Sequence, residues 1–204
     1  DARGALALAE YKFNLPVSEE DVRKLRVGDV LYVSGVIVTA RDQAHRRALE
    51  LLRRGEPLPV DLKGGLVFHC GPLMRKVGER WEVVAAGPTT SIRMEELEGE
   101  FIERTGVRIV VGKGGMGSKT LEALKRHGAV YCHFTGGAAV LAKQAVKEVV
   151  AVHWLDLGMP EAMWVFRVED FGPLLVTMDS HGRSLHDEVD ERVRANLERI
   201  LGGL

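Results

Sequence analysis

"VRIVVGKGGMGSKTLEALKRHGAVYCHF", residues 107–134, runs from strand to glycine-rich loop to helix to strand with nothing in between. "VRIVVG" is continuously apolar, the pattern of a parallel strand buried on both faces. "SKTLEALKRHG" has helical spacing and stops on Gly128, and "AVYCHFT" is again a strand. Two strands joined through one helix imply a right-handed parallel crossover, which sets the class as α/β. The same pattern is extended through a helix in "GGAAVLAKQAVKEV" and a strand in "VAVHWLDL", a βαβαβ run over 107–157.

Outward from this unit, strands and helices alternate. "SEEDVRKLR" opens with Ser18 as N-cap and an acidic first turn, so a short helix is expected. "GDVLYVSGVIVTA" is a turn and a strand rich in β-branched residues. "RDQAHRRALELLRRG" is an amphipathic helix with Ala44, Ala48, Leu51 and Leu52 on one face and Gly55 at its end. "GGLVFHCG" and "WEVVAAG" are further strands, and "MEELEGEFIERTG" is a helix closed by Gly106. "AMWVFRVEDFGPLLVTMDSHG" reads as two strands joined by a tight turn, hence an antiparallel patch. "SLHDEVDERVRANLERIL" forms a charged C-terminal helix within 184–204. The expected architecture is a three-layer α/β domain spanning 1–204, with a mainly parallel central sheet and a second, antiparallel sheet. Residues 1–9 read as a flexible, trimmed or tagged start.

With 204 residues, 46% hydrophobic and 28% charged, the chain has the composition of a folded globular domain. A net charge of -1 without a basic tract argues against a nucleic-acid footprint. No apolar run reaches the roughly 18 residues of a membrane span. Cys70 and Cys132 read as buried structural thiols in a reducing, cytoplasmic setting, and no Cys/His spacing suggests a metal site. Only Asn14, Gln43, Gln144 and Asn196 carry side-chain amides, a usage resembling that of thermophiles.

Three loops at the carboxyl ends of parallel strands carry unusual residues, and that is where such sheets bind ligands. They are Arg41-Asp42-Gln43-Ala44-His45, Pro88-Thr89-Thr90-Ser91-Ile92-Arg93 and Lys113-Gly114-Gly115-Met116-Gly117. Each precedes a helix, whose free N–H groups and dipole favour an anion. Each also supplies a cation that opposes that dipole, so helix stability does not explain Arg41, Arg93 or Lys113. Together they point to an external anion, with Arg suited to carboxylates. Singly, each feature has a plainer reading: a surface cation, an N-cap at Asp42, a partly buried helix residue at His45, a capped turn at "PTTS". His69, His133 and His153 read as hydrogen-bonded core residues rather than ligands.

The third loop also begins like the phosphate-binding pattern K-G-G-x-G-K-[ST]. Ser118 then displaces Lys119 and Thr120 by one place, and no magnesium carboxylate partner is evident. The loop is therefore expected to bring Lys113 and backbone N–H groups to a carboxylate. A nucleotide-binding module and a non-catalytic scaffold domain are the competing classes.

"GDVLYVSGVIVTARDQAHRR", "GLVFHCGP", "AAGPTTSIRM", "VVGKGGMG" and "YCHFTGGAAVLAK" occur in an order that resembles the β subunit, or C-terminal domain, of class I fumarate hydratases and the L-tartrate dehydratase β subunit. The resemblance covers about residues 10–190 and implies a "swivelling" β/β/α domain. It implies a lyase of the tricarboxylic acid cycle, hydrating fumarate to S-malate, with L-tartrate or mesaconate as alternative substrates. It implies a 4Fe-4S cluster whose open iron acts as Lewis acid, held by three cysteines of a separate α subunit and not by this chain. It places Arg41, Arg93 and Lys113 on the dicarboxylate and Thr89 as a base for the C3 proton. Asp42, His45, Thr90, Gly114 and Gly115 are supporting residues, with Asp42 and His45 expected to orient Arg41 or contact the α chain. Ile92 stands where the family often has Gly. An α2β2 assembly or a β–β dimer is expected, with Trp154 or Trp164 as aromatic anchors.

Overall fold

The computed structural model describes residues 9–134 and 138–201. In chain order the elements are β1 (Glu10–Asn14), α1 (Glu19–Arg23), β2 (Val30–Thr39), α2 (Asp42–Arg53), β3 (Leu66–Phe68), β4 (Leu73–Val77) and β5 (Arg80–Ala85). There follow a 3-10 turn (Ser91–Met94), α3 (Glu95–Thr105), β6 (Ile109–Gly112), α4 (Ser118–His127), β7 (Val130–Phe134) and α5 (Ala138–Ala145). The chain finishes with β8 (Val146–His153), β9 (Met163–Met178) and α6 (Leu185–Leu201). The expected start at 1–9 lies almost wholly outside the described residues, as do Thr135-Gly136-Gly137 of the "YCHFTGGAAVLAK" stretch. No helix among the described residues is long and apolar enough to cross a membrane.

The fold is mixed α/β with a mostly parallel central sheet. Seven strands run in the order β1-β2-β3-β6-β7-β9-β8, and β9 also pairs with β2. The pairings β1–β2, β2–β3, β3–β6 and β6–β7 are parallel, whereas β9 runs antiparallel to β2, β7 and β8. Strands β2, β3, β6, β7 and β9 thus close on themselves.

Side-chain alternation divides the core in two. Phe68, Val111, Cys132 and Phe134 point into the space enclosed with Trp164, Phe166, Phe171 and α5. Val67, Val110 and Tyr131 point the other way, against Ala48, Phe101 and Leu124 of the helical layer α2–α3–α4. All four residues of β6 are buried, which is why its sequence shows no alternation of polarity.

Three expectations are corrected. The stretch 162–182 holds one strand of 16 residues, β9, within the main sheet, and not two strands about a turn. Its Asp-Phe-Gly-Pro signal becomes a bulge: the β2–β9 register shifts between Val33 and Gly35, Asp170 takes φ 48°, and its N–H bonds Ser34 Oγ at 3.0 Å. The small antiparallel sheet is instead the β4–β5 hairpin, whose first strand has no clear sequence signal. The crossover through α5 brings β8 back in the direction of β7 as expected, but the two are not neighbours, because the antiparallel β9 lies between them. Finally, Trp164 is fully buried, edge-on to Trp81 at 5.1 Å, with Nε1 donating to Met159 O at 2.8 Å, so it anchors no surface. Trp154 is half-buried beneath the Arg47 guanidinium.

Phe171 seals the enclosed core, edge-on to Phe68 at 5.1 Å and Phe134 at 5.0 Å. Phe171→Ala should cost about 3–5 kcal/mol in urea unfolding, while Val36→Ala at a largely exposed position should stay within about 0.5 kcal/mol. Equal unfolding midpoints for the two variants would contradict this packing.

Candidate functional site

The three loops meet at the carboxyl end of β2, β3 and β6. Ala40 N–H bonds Phe68 O at 3.0 Å, which sets Arg41 beside the chain leaving β3. Thr89 N–H bonds His69 O at 2.7 Å, and Cys70 bridges Pro88, so the threonine loop lies along the end of β3. On its other side Lys113 N–H bonds Thr89 O at 3.4 Å and Ser91 N–H bonds Lys113 O at 3.1 Å. Gly71 packs against the Arg41 side chain so closely that any Cβ there would strike the guanidinium. Arg41, Thr89 and Lys113 are thereby held on one ledge.

The charges on that ledge are not equivalent. Arg93 is ion-paired with Asp42, and its side chain is 47% exposed. Arg41 Nε lies 3.5 Å from Glu161 Oε1, too long and misaligned for a hydrogen bond, so that nitrogen is buried without a hydrogen-bond partner. Lys113 is exposed and forms no ion pair among the described residues. Thr89 is half-buried and Thr90 exposed. Gly114 adopts φ 73°, where glycine is favoured, and Gly115 faces His186 of α6, leaving no room for a side chain.

The helix N-termini differ from expectation. Arg41, not Asp42, occupies the cap position of α2, and the Gln43 N–H is bonded to Glu161 Oε2 at 3.2 Å. At α4 the Glu95 carboxylate accepts from Gly117 N–H at 2.6 Å, Thr120 N–H at 2.9 Å and Thr120 Oγ1 at 2.9 Å. An internal anion therefore fills the place a phosphate would take in a nucleotide-binding loop. Lys119 points away and pairs with Glu96 at the surface. The glycine-rich loop presents Lys113, as its sequence suggested, but the helix behind it is already capped. Glu95 and Glu161 were missed because neither lies in the loop it serves; an acidic first turn after "SIRM" was the sole local hint of the former.

Of the two residues expected to orient Arg41 or contact the α chain, His45 reaches the Arg41 carbonyl and Asp42 does not reach its side chain. Asp42 holds Arg93 rather than Arg41. His45 is fully buried, with Nδ1 2.8 Å from Arg41 O and Nε2 2.7 Å from Glu98 Oε2. Of the three strand histidines anticipated as hydrogen-bonded core residues, His69 is one, with Nδ1 2.8 Å from Ser91 Oγ and Nε2 3.0 Å from Glu98 Oε2, whereas His133 and His153 are half-buried. Burial pushes the Glu98 carboxyl up, but His45 and His69 outweigh it and hold the group at about 2. Burial is the largest influence on both imidazoles and depresses them; at His45 the Glu98 charge, the contacts to Glu98 and Arg41 O, and Asp42 together overcome it and the pKa rises, while at His69 burial prevails and it falls. Of the two imidazoles, His45 is therefore the one that more readily carries the charge opposite Glu98.

His45, His69 and Glu98 bring their ligand atoms close enough to be considered for a metal ion. The 3.0 Å contact from His69 Nε2 is a hydrogen bond and the 2.7 Å contact from His45 Nε2 a close charge contact, and the group is sealed from solvent. Cys70 and Cys132 are fully buried, and burial pushes both thiols well up, with Arg41 only partly offsetting the effect at Cys70. These are the chain's two cysteines, and both sit among the packed apolar side chains of the enclosed core.

The family model described as "Fumarase C-terminus" matches residues 5–189. The chain belongs to this family. It is 54% identical over 170 residues to the L(+)-tartrate dehydratase subunit beta of Escherichia coli K12, covering 83% of each chain. It is 47% identical over 194 residues to a putative L(+)-tartrate dehydratase subunit beta of Methanocaldococcus jannaschii, covering 95% of this chain and 99% of that one. It is also 47% identical over 186 residues to a putative class I fumarate hydratase of Geobacillus stearothermophilus, 91% of this chain but 34% of that protein. The fumarase C-terminus family thus includes both short β-subunit chains and a portion of a longer fumarate hydratase.

Glu95→Ala should leave three donors at the start of α4 without an acceptor and cost about 1–3 kcal/mol in urea unfolding. Lys119→Ala should leave the midpoint unchanged, and MgATP titrated into the wild-type chain should give no binding heat. Saturable MgATP binding lost in Lys119→Ala would reinstate the nucleotide reading.

Proposed function

We propose that the chain is the β subunit of an iron–sulfur hydro-lyase that adds water reversibly to fumarate, giving S-malate. The single observation that carries this is the ledge on which Arg41, Lys113 and Thr89 converge under backbone hydrogen bonds. In this reading Lys113 and the outer edge of the Arg41 guanidinium each receive a substrate carboxylate. Arg93 is the third cation for the dicarboxylate, with Asp42 holding one side of its guanidinium and the rest exposed. The Thr89 hydroxyl faces C3, where a proton is removed or delivered. A Thr hydroxyl is a weak base in water, so its action depends on the adjacent positive charge.

Charge balance supports a requirement for a second chain. Three cations on the ledge stand against the carboxylates of Glu161 and Asp42, which leaves one net positive charge to meet a dianion. The remaining charge is met across the interface in this proposal, where a cysteine-bearing α subunit holds a 4Fe-4S cluster. That cluster would supply Lewis acidity toward substrate oxygen. The open ledge would then become a closed site between subunits, in an αβ unit that pairs as α2β2. L-tartrate is the second reading, favoured by the 54% identity to a chain named for that substrate.

The purified chain should be colourless and inactive; joined anaerobically with its α subunit, iron and sulfide, it should turn over fumarate and S-malate faster than L-tartrate. The opposite order would establish the tartrate reading, and activity of this chain alone would overturn the half-site proposal. Lys113→Ala and Arg41→Ala should each lose about 2–5 kcal/mol of interaction with a desolvated partner, roughly 30- to 4,000-fold in kcat/KM. Thr89→Val should lower kcat more than it raises KM. Near-normal turnover in all three would contradict this placement of the substrate.

A further inference from the structure

A continuous line of buried polar groups runs beneath the ledge and joins its two ends. It starts at the carbonyl of Arg41, which His45 Nδ1 approaches to 2.8 Å. It passes through Glu98 Oε2, 2.7 Å from His45 and 3.0 Å from His69. From His69 Nδ1 it continues to Ser91 Oγ at 2.8 Å, to the Tyr131 hydroxyl at 2.9 Å and to the carbonyl of Gly114 at 2.8 Å. His45, Glu98, His69, Ser91 and Tyr131 are all fully buried. Gly112 makes room for the line, since a Cβ there would overlap the Ser91 hydroxyl.

Proton accounting fixes its direction from Arg41 as far as Ser91. A carbonyl only accepts, so His45 Nδ1 donates to Arg41 O. Facing a carboxylate with Nε2 as well, His45 is the imidazolium. Its Nε2 is out of line for a good hydrogen bond, so this contact is chiefly an ion pair. Neutral His69 then donates from Nε2 to Glu98 and accepts from Ser91 at Nδ1. The single Tyr131 hydrogen serves one neighbour at a time, the Gly114 carbonyl at 2.8 Å or Ser91 Oγ at 2.9 Å, so only one of these two contacts is a hydrogen bond in any one state.

Packing alone does not account for this line. A buried ion pair is commonly no more stabilising than apolar side chains of equal volume, and Glu98 Oε1 is left buried without a partner. What the line does is tie the backbone beside Arg41 to the backbone beside Lys113, across α2, α3, β3 and β7.

We propose that Glu98, His45, His69, Ser91 and Tyr131 are positioning residues that hold Arg41 and Lys113 at the separation needed to grip both carboxylates of one substrate. The inference rests on the dicarboxylate reading of the ledge. It assigns no proton transfer to substrate: the line acts through the two loops, on substrate affinity. Tyr131 lies outside all three loops and links the histidines, through Ser91 of the threonine loop, to the Lys113 loop, so its hydroxyl is the cleanest place to cut the line.

The test has one arm without substrate and one with it. In the full chain, Tyr131→Phe removes only the hydroxyl. It should speed amide exchange at Lys113 and Ser91 about tenfold, the scale of one lost hydrogen bond, while Gly128, at the far end of α4, stays unchanged. In the assembled αβ enzyme, Tyr131→Phe and Ser91→Ala should each raise KM for the dicarboxylate about tenfold with kcat within about threefold. The double variant should be no worse than Ser91→Ala alone, because the two cut one line. Additive effects, an unchanged KM, or one equivalent of tightly held metal lost in Glu98→Gln would overturn the proposal. If the wild-type assembly binds no dicarboxylate, the functional reading falls, and the exchange arm still decides: an unaltered Lys113 amide would show the line does not hold the loop.

Discussion

The Glu98 carboxylate, at zero exposure among helices and strands, constrains much of what surrounds it. An ion that size stripped of water costs several kcal/mol unless matched at close range. Matching it requires His45 from α2 and His69 from the end of β3 to arrive at the same oxygen. They can do so because strand alternation turns Val67 and His69 toward the helical layer while Leu66 and Phe68 face the enclosed core. The same parity on β7 sends the Tyr131 hydroxyl to that side. One buried charge therefore fixes the relative placement of α2, α3, β3 and β7, and with them the loops that carry Arg41 and Lys113.

Internal carboxylates divide the remaining labour. Glu95 takes two N–H groups at the start of α4, Glu161 one at the start of α2, and Asp42 takes Arg93. The N–H groups bonded to these carboxylates are therefore not open to an outside anion, and attraction falls to the side chains. That arrangement suits a carboxylate better than a triphosphate, which needs several N–H groups at once. It also makes Lys113, with no ion pair among the described residues, the most available cation on the ledge.

The class of fold was legible because β6 and β7 flank α4 in unbroken succession and because glycines at 106 and 128 close helices in the left-handed conformation. The ledge was legible in part, since Arg41, Thr89 and Lys113 follow strands and backbone bonds bring them together. What escaped reading was non-local. Asp-Phe-Gly-Pro is a strong turn signal, yet β9 continues through it because β2 and β7 offer partners on both sides, and the irregularity is absorbed as a bulge. Glu98 looked like one more charge in an acidic helix; only the packing of α3 against β3 and α2 shows that it turns inward. Glu95 and Glu161 cap helices from 22 and 118 residues away, distances over which sequence pattern carries no signal.

The most direct measurement is the structure of the assembled αβ protein with its dicarboxylate bound. The account requires one carboxylate within hydrogen-bond distance of Lys113 Nζ, the other at the Arg41 guanidinium, and Thr89 Oγ1 at the carbon between them, with any cluster on cysteines of the partner subunit. A substrate seated away from the ledge, or a cluster bound to Cys70 or Cys132, would contradict it.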